Sequence, residues 1–126
     1  MAKLIKNIDP ETVFLMDKQV EYLPGQIVSK TLAQNDSVSL TIFAFDKGEE
    51  ISSHESDGDA MVMVLDGTGE ITVDGRKYTL HCGESIVMPS RKPHAVYASE
   101  RFKMFLTVVF PKQLEIFNIP HSNSNA

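Results

Sequence analysis

Two histidines, His54 and His94, carry the chemistry that this sequence offers most plainly. A neutral imidazole accepts a hydrogen bond at one ring nitrogen and donates one at the other, and it ligates transition metals. Each histidine sits in a glycine-framed stretch. The first runs Gly48-Glu49-Glu50-Ile51-Ser52-Ser53-His54-Glu55-Ser56-Asp57-Gly58-Asp59-Ala60 and on to Gly67. The second runs Gly83-Glu84-Ser85-Ile86-Val87-Met88-Pro89-Ser90-Arg91-Lys92-Pro93-His94. Along a strand, alternate side chains share a face. His54 and Ser56 are therefore expected on one side, and Glu55 and Asp57 on the other. By the same parity Val96 points inward beside His94, and Tyr97 points outward.

Other reactive side chains are weaker candidates. Cys82 is the single cysteine, so neither an internal disulfide nor a thiolate-rich metal cage can form within one chain. It lies between His81 and Gly83 in an expected turn, with no visible partner for nucleophilic work. Met61, Met63, Met88 and Met104 could ligate copper through sulfur, but flexible core filling is the ordinary role of such methionines. His121 falls in the small polar tail His121-Ser122-Asn123-Ser124-Asn125-Ala126, which is expected to be disordered and is discounted as a ligand.

The elements that must position the histidines read as strands. Residues 39–45, 61–65, 70–73 and 104–110 are rich in β-branched, aromatic and other apolar side chains. Turn signals separate them: Asp46-Lys47-Gly48, Asp57-Gly58-Asp59, Asp66-Gly67-Thr68-Gly69 and Cys82-Gly83. Asp74-Gly75, between Ile71-Thr72-Val73 and Tyr78-Thr79-Leu80, signals a two-residue hairpin. Glycines at 48, 67 and 83 would permit positive φ in tight turns, and Pro89 should mark the entry to a strand. Short strands with glycine-rich turns indicate an all-β sandwich or barrel. Upstream, Asp9-Pro10-Glu11 favours a short turn or helix. Strands are expected near residues 20–23 and 26–32, divided by Pro24-Gly25.

The two histidine stretches resemble the paired motifs of the cupin superfamily, specifically its small single-domain members. That family's first motif places Gly, five residues, His-x-His, three or four residues, Glu, six residues and Gly. Gly48, His54 and Gly67 match it, while Ser56 stands at the second His and Ala60 at the Glu. The second motif places Gly, five residues, Pro-x-Gly, two residues and His. Gly83, Pro89 and His94 match it, and Arg91 replaces the glycine. The resemblance spans roughly residues 38–110. It implies an antiparallel cupin β-barrel of the double-stranded β-helix or jelly-roll type. Residues 1–37 would then form N-terminal strands or an arm packing on the barrel, and residues 111–126 a C-terminal extension.

In a complete cupin, three imidazoles and a carboxylate hold a divalent iron, manganese, nickel, copper or zinc ion. The resemblance leaves His54 and His94 as a weak, incomplete metal site, so a divalent metal and no metal are equal expectations. Inward positions expected at the cavity are Ser56, Ala60, Val62, Val64 and Val96 beside the histidines. Arg91 and Lys92 place cations near the mouth, where a carboxylate or phosphate could be drawn in.

The bulk composition narrows the partners. A chain of 126 residues suits one domain with one core. A formal net charge of −5 argues against nucleic acid and against anionic membranes. The N-terminus lacks a signal-peptide apolar run, so a cytoplasmic location is expected. Strands 61–65 and 104–110 are apolar on both faces, and an outward apolar face needs a cover. A homodimer is the expected cover. Three functions compete: a small-molecule binding or sensing cupin, a metal-dependent dioxygenase, isomerase or cyclase acting through His54 and His94, and a non-catalytic structural dimer.

Overall fold

A computed structural model of the chain describes residues 4–111. Eight strands follow one another: β1 (Ile27–Gln34), β2 (Val38–Phe45), β3 (Glu50–His54), β4 (Asp59–Val73), β5 (Arg76–His81), β6 (Ser85–Met88), β7 (His94–Tyr97) and β8 (Phe102–Val109). Every pairing is antiparallel, in the order β1-β2-β8-β4-β7-β3, with β5 and β6 also pairing with β4. The result is the curled antiparallel sheet of a jelly roll, as the resemblance carried by the two histidine motifs implies.

β4 is the spine of this fold because it serves both sheets. Its first half, Asp59–Gly67, pairs with β8 and β6, and its second half pairs with β5 and β7. The crossing is made at Gly67, where the register against β8 has just slipped past Val64 and φ is +74°. A Cβ there would collide with the Arg101 carbonyl oxygen, so neither the backbone angle nor the space admits a side chain. The hairpin to β5 turns on Asp74 and Gly75, both at positive φ, with Val73 paired to Arg76. These are the dihedral signs of the two-residue turn that matches strand twist.

Alternation along β4 divides its side chains between two cores. Ala60, Val62 and Val64 point inward and are buried, while Met61 is exposed. The inner cluster joins them to Phe45, Ile71, Met88, Phe102 and Met104, with the Phe45 and Phe102 rings stacked at 4.7 Å. Met88 and Met104 are thus core residues. A second, outer cluster contains Val20, Leu32, Ile42 and Ala44, flanked by Ile8, Met16, Tyr22 and Phe105.

That outer cluster corrects the N-terminal expectation. Residues 20–23 form no strand; Val20 and Tyr22 instead lie in an irregular arm laid over the outer faces of β1, β2 and β8. Side chains that fill an existing apolar surface gain more there than from starting an edge strand of four residues. The chain turns at Pro10-Glu11, and the one helical turn among the described residues comes later, a 3-10 turn at Met16–Lys18. β1 starts at Ile27, after the Pro24-Gly25 turn, and pairs with β2 along its length. The expected polar tail, His121 included, lies outside the described residues.

Candidate functional site

β3 and β7 are neighbours, and His54 and His94 are a direct cross-strand pair. Their ring centroids are 4.3 Å apart at an interplanar angle of 66°, an edge-to-face contact. The two imidazoles therefore stand side by side on adjacent strands, rather than on facing walls of the barrel. His94 is buried, at 5% exposure, while His54 at the end of the sheet-edge strand β3 is exposed. The pair spans the step from interior to solvent.

Backbone carbonyls orient both rings. The Nδ1 of His54 lies 3.0 Å from the Ser52 carbonyl oxygen, and the Nδ1 of His94 lies 3.2 Å from that of Lys92. A carbonyl only accepts, so each Nδ1 carries the proton and donates it. Each Nε2 is left as a lone-pair acceptor, and among the described residues neither has a hydrogen-bond partner. Sequence reasoning missed the orienting groups Ser52 and Lys92, because they act through main-chain atoms that any residue supplies. Burial pushes the pKa of His94 below the ordinary imidazole range; the Lys92 carbonyl opposes this, and the neighbouring His54 adds to the lowering.

β3 ends at His54, so Ser56 lies beyond the strand, half-buried between the exposed Glu55 and Asp57. Beyond that end, the Ser56 Oγ accepts a hydrogen bond from the Gly58 N–H at 3.2 Å, and its carbonyl accepts one from the Arg91 N–H at 2.8 Å. The hydroxyl thus closes a local turn. Ala60, Val62 and Val96 lie among the buried side chains of the inner cluster, at 2%, 0% and 3% exposure, with Val64 beside them. Tyr97 is exposed, as the alternation with Val96 requires. Arg91 adopts φ +66° at the position where the motif carries glycine, and Cys82 is an exposed thiol.

The donor set does not fit a complete cupin metal centre. Among the described residues, no three His, Cys, Asp or Glu side chains converge as ligands. Ala60 has no donor atom, and the Ser56 oxygen is already an acceptor within its turn. What the fold assembles is a pair of imidazole acceptors backed by an apolar interior.

Residues 41–110 match the model of the cupin domain. The chain belongs to the cupin family. It is similar to a solved conserved protein of unknown function from Streptococcus pyogenes, with 43% identity over 88% of this chain and 97% of that one, at a TM-score of 0.86. A cupin superfamily protein from Desulfitobacterium hafniense is 32% identical over 85% of this cupin and 98% of its own chain, at a TM-score of 0.81. The salicylate 1,2-dioxygenase of Pseudoaminobacter salicylatoxidans, 17% identical over 74% of this chain and 27% of its own, shares the fold at a TM-score of 0.62. No curated protein matches the sequence. Among the described residues, no helix of this cupin is long and apolar enough to cross a membrane.

Proposed function

We propose that this cupin binds a small molecule through the His54–His94 pair. The observation that carries the reading is the pair's geometry: two contacting imidazoles, each with Nδ1 engaged by a carbonyl and Nε2 left as an acceptor. Two neighbouring acceptors at the edge of an apolar interior suit a ligand with adjacent O–H or N–H donors and an apolar remainder. In this reading Ala60, Val62 and Val96 of the inner apolar cluster would meet the ligand's apolar remainder, with Ser56 at the rim.

A second reading is favoured by the same Nε2 atoms, since carbonyl-oriented imidazoles are also how proteins prepare metal ligands. A divalent ion on two imidazoles, completed by water, would be held weakly. Metal content separates the readings. The protein, purified without a His-tag and supplemented with iron, zinc, nickel, copper and manganese in turn, is analysed by mass spectrometry. Small-molecule binding predicts sub-stoichiometric metal, unchanged in a His54→Ala/His94→Ala variant. Near-stoichiometric metal that the variant loses would overturn it in favour of a metal-dependent enzyme.

We also propose that the cupin is a homodimer. The support is the apolar strip left on the outer face of β4, β6 and β8, where Met61 stands directly opposite Val87.

A further inference from the structure

β5 and β6 each pair with β4 alone, one in each sheet, so among the described residues their other edges are unpaired. Between them lies a groove of about 540 Å³, within the size range of small-molecule sites. Its walls are of two kinds. Val73 and Ile86 are partly buried and pack on the inner core, and with Pro89 and the exposed Val87 they form an apolar surface. Arg76, Lys92 and the Tyr78 ring form the polar side, with Asp74 between them.

The charge balance of this groove is opposite to that of the chain. The whole sequence carries a formal −5, whereas the groove holds two cations against one carboxylate. The carboxylate only loosely claims its neighbour: Lys92 Nζ and Asp74 Oδ2 are 3.9 Å apart, with both side chains more than half exposed. Such exposed pairs contribute little, so Lys92 can turn to a ligand at small cost. Arg76 has no ion-pair or side-chain hydrogen-bond partner among the described residues, and neither does the Tyr78 hydroxyl. A guanidinium, an ammonium and a phenol thus line one groove together with an apolar wall, and only the ammonium has an ion-pair partner there. Guanidinium binds carboxylate and phosphate oxygens through paired hydrogen bonds, more strongly than neutral donors do.

We propose that the groove between β5 and β6 binds a small organic anion, with its carboxylate or phosphate on Arg76 and Lys92 and its apolar body on Val73, Ile86 and Pro89. The inference does not rest on the histidine reading, because neither histidine lines the groove.

The test is a titration of the nitrogen-15-labelled full chain, followed by amide shifts, with naphthoate, naphthyl phosphate, uncharged naphthalenemethanol and inorganic phosphate as probes. At least one aryl anion is expected to give saturable shifts at the amides of Arg76, Tyr78, Val87 and Lys92, and the carboxylate and phosphate arms identify the preferred head. Naphthalenemethanol and inorganic phosphate, each lacking half of the match, should bind about tenfold more weakly or worse. An Arg76→Gln/Lys92→Gln variant should lose about tenfold in affinity, and its own spectrum reports whether the fold is kept. The His54→Ala/His94→Ala variant should keep the groove shifts, which separates this site from the histidine pair. No saturable shift with either aryl anion, or affinity unchanged in the Arg76→Gln/Lys92→Gln variant, would overturn the proposal.

Discussion

At the scale of single residues, the decisive contrast is between two identical side chains in unequal surroundings. His94 is enclosed and His54 is open, although they touch. Enclosure disfavours the imidazolium, so His94 stays neutral to a lower pH than a free histidine. Above the unfolded-state pKa, near 6.5 for histidine, both states hold it neutral and it adds no pH dependence. As the pH falls below that value, the unfolded chain takes up the proton first, and stability declines until the folded pKa is passed. Urea denaturation across this window should therefore show stability falling with acidification, and a His94→Leu variant should flatten that slope. Nitrogen-15 spectra of the imidazoles should show neutral His94 in the Nδ1–H form that the Lys92 carbonyl imposes. A ring protonated at Nε2 would contradict the orientation argued for the site. The residue types and spacing of the pair were legible in the sequence, since both histidines fall at matched motif positions. Their contact was not legible, because it depends on the register of β3 against β7, which slips between Ile51 and His54.

At the scale of elements, the arm before β1 is the part that strand patterning misread, and the reason lies in Tyr22. Its hydroxyl donates to Asp66 Oδ2. Its ring lies 5.3 Å from the Arg101 guanidinium carbon and 4.9 Å from Lys103 Nζ. Lys103 is itself buried and donates to the Asp17 carbonyl at 2.6 Å. Burial and the Asp66 carboxylate together push the phenol well above its usual pKa, so it remains a donor across the working range. Next along the arm, Asp46 fixes the Pro24-Gly25 turn by accepting from the Gly25 N–H at 2.7 Å. Arg101, followed by the Gly25 and Lys47 amides, lowers the Asp46 carboxyl to about 2. Tyr22→Phe should cost about 1 kcal/mol, the scale of one hydrogen bond. Tyr22→Ala should cost about 2 kcal/mol or more by also emptying the ring's place, and trypsin should then cut sooner at the exposed Lys18. Equal protease resistance in Tyr22→Ala and the parent would show that the clasp does not hold the arm. Gly67→Ala tests the spine: it combines a left-handed backbone angle with a collision on Arg101, and a loss of more than about 2 kcal/mol is expected. The barrel strands and the Asp74-Gly75 hairpin were legible, since alternation and turn chemistry agree there. The arm was not, because its apolar residues follow the shape of a distant sheet rather than a period of their own.

At the scale of the whole molecule, the arm changes the argument for a dimer. Apolar outward positions on β4 and β8 implied a cover, and the arm supplies part of it, packing against Ile42, Leu65 and Phe105. The cover stops short of one end. Met61, Val87 and Val109 remain 45%, 53% and 56% exposed on β4, β6 and β8. They sit on one outer face, since Met61 pairs with both Val87 and Thr107, and Val109 lies two residues beyond Thr107. Exposed apolar side chains on one face of three strands are uncommon on a chain that stays alone, and pairing two copies about a two-fold axis would bury them against each other. Light scattering at micromolar concentration should then report twice the 14.0 kDa of one chain. Met61→Glu, which sets like charges against each other across such an axis, should halve that mass while the circular dichroism of the barrel is unchanged. A parent protein that scatters as a single chain would refute the dimer and leave the strip to another occupant. A Met61→Glu variant that remains dimeric would place the interface elsewhere, with the exposed Val13 and Leu15 of the arm as the next surface to alter.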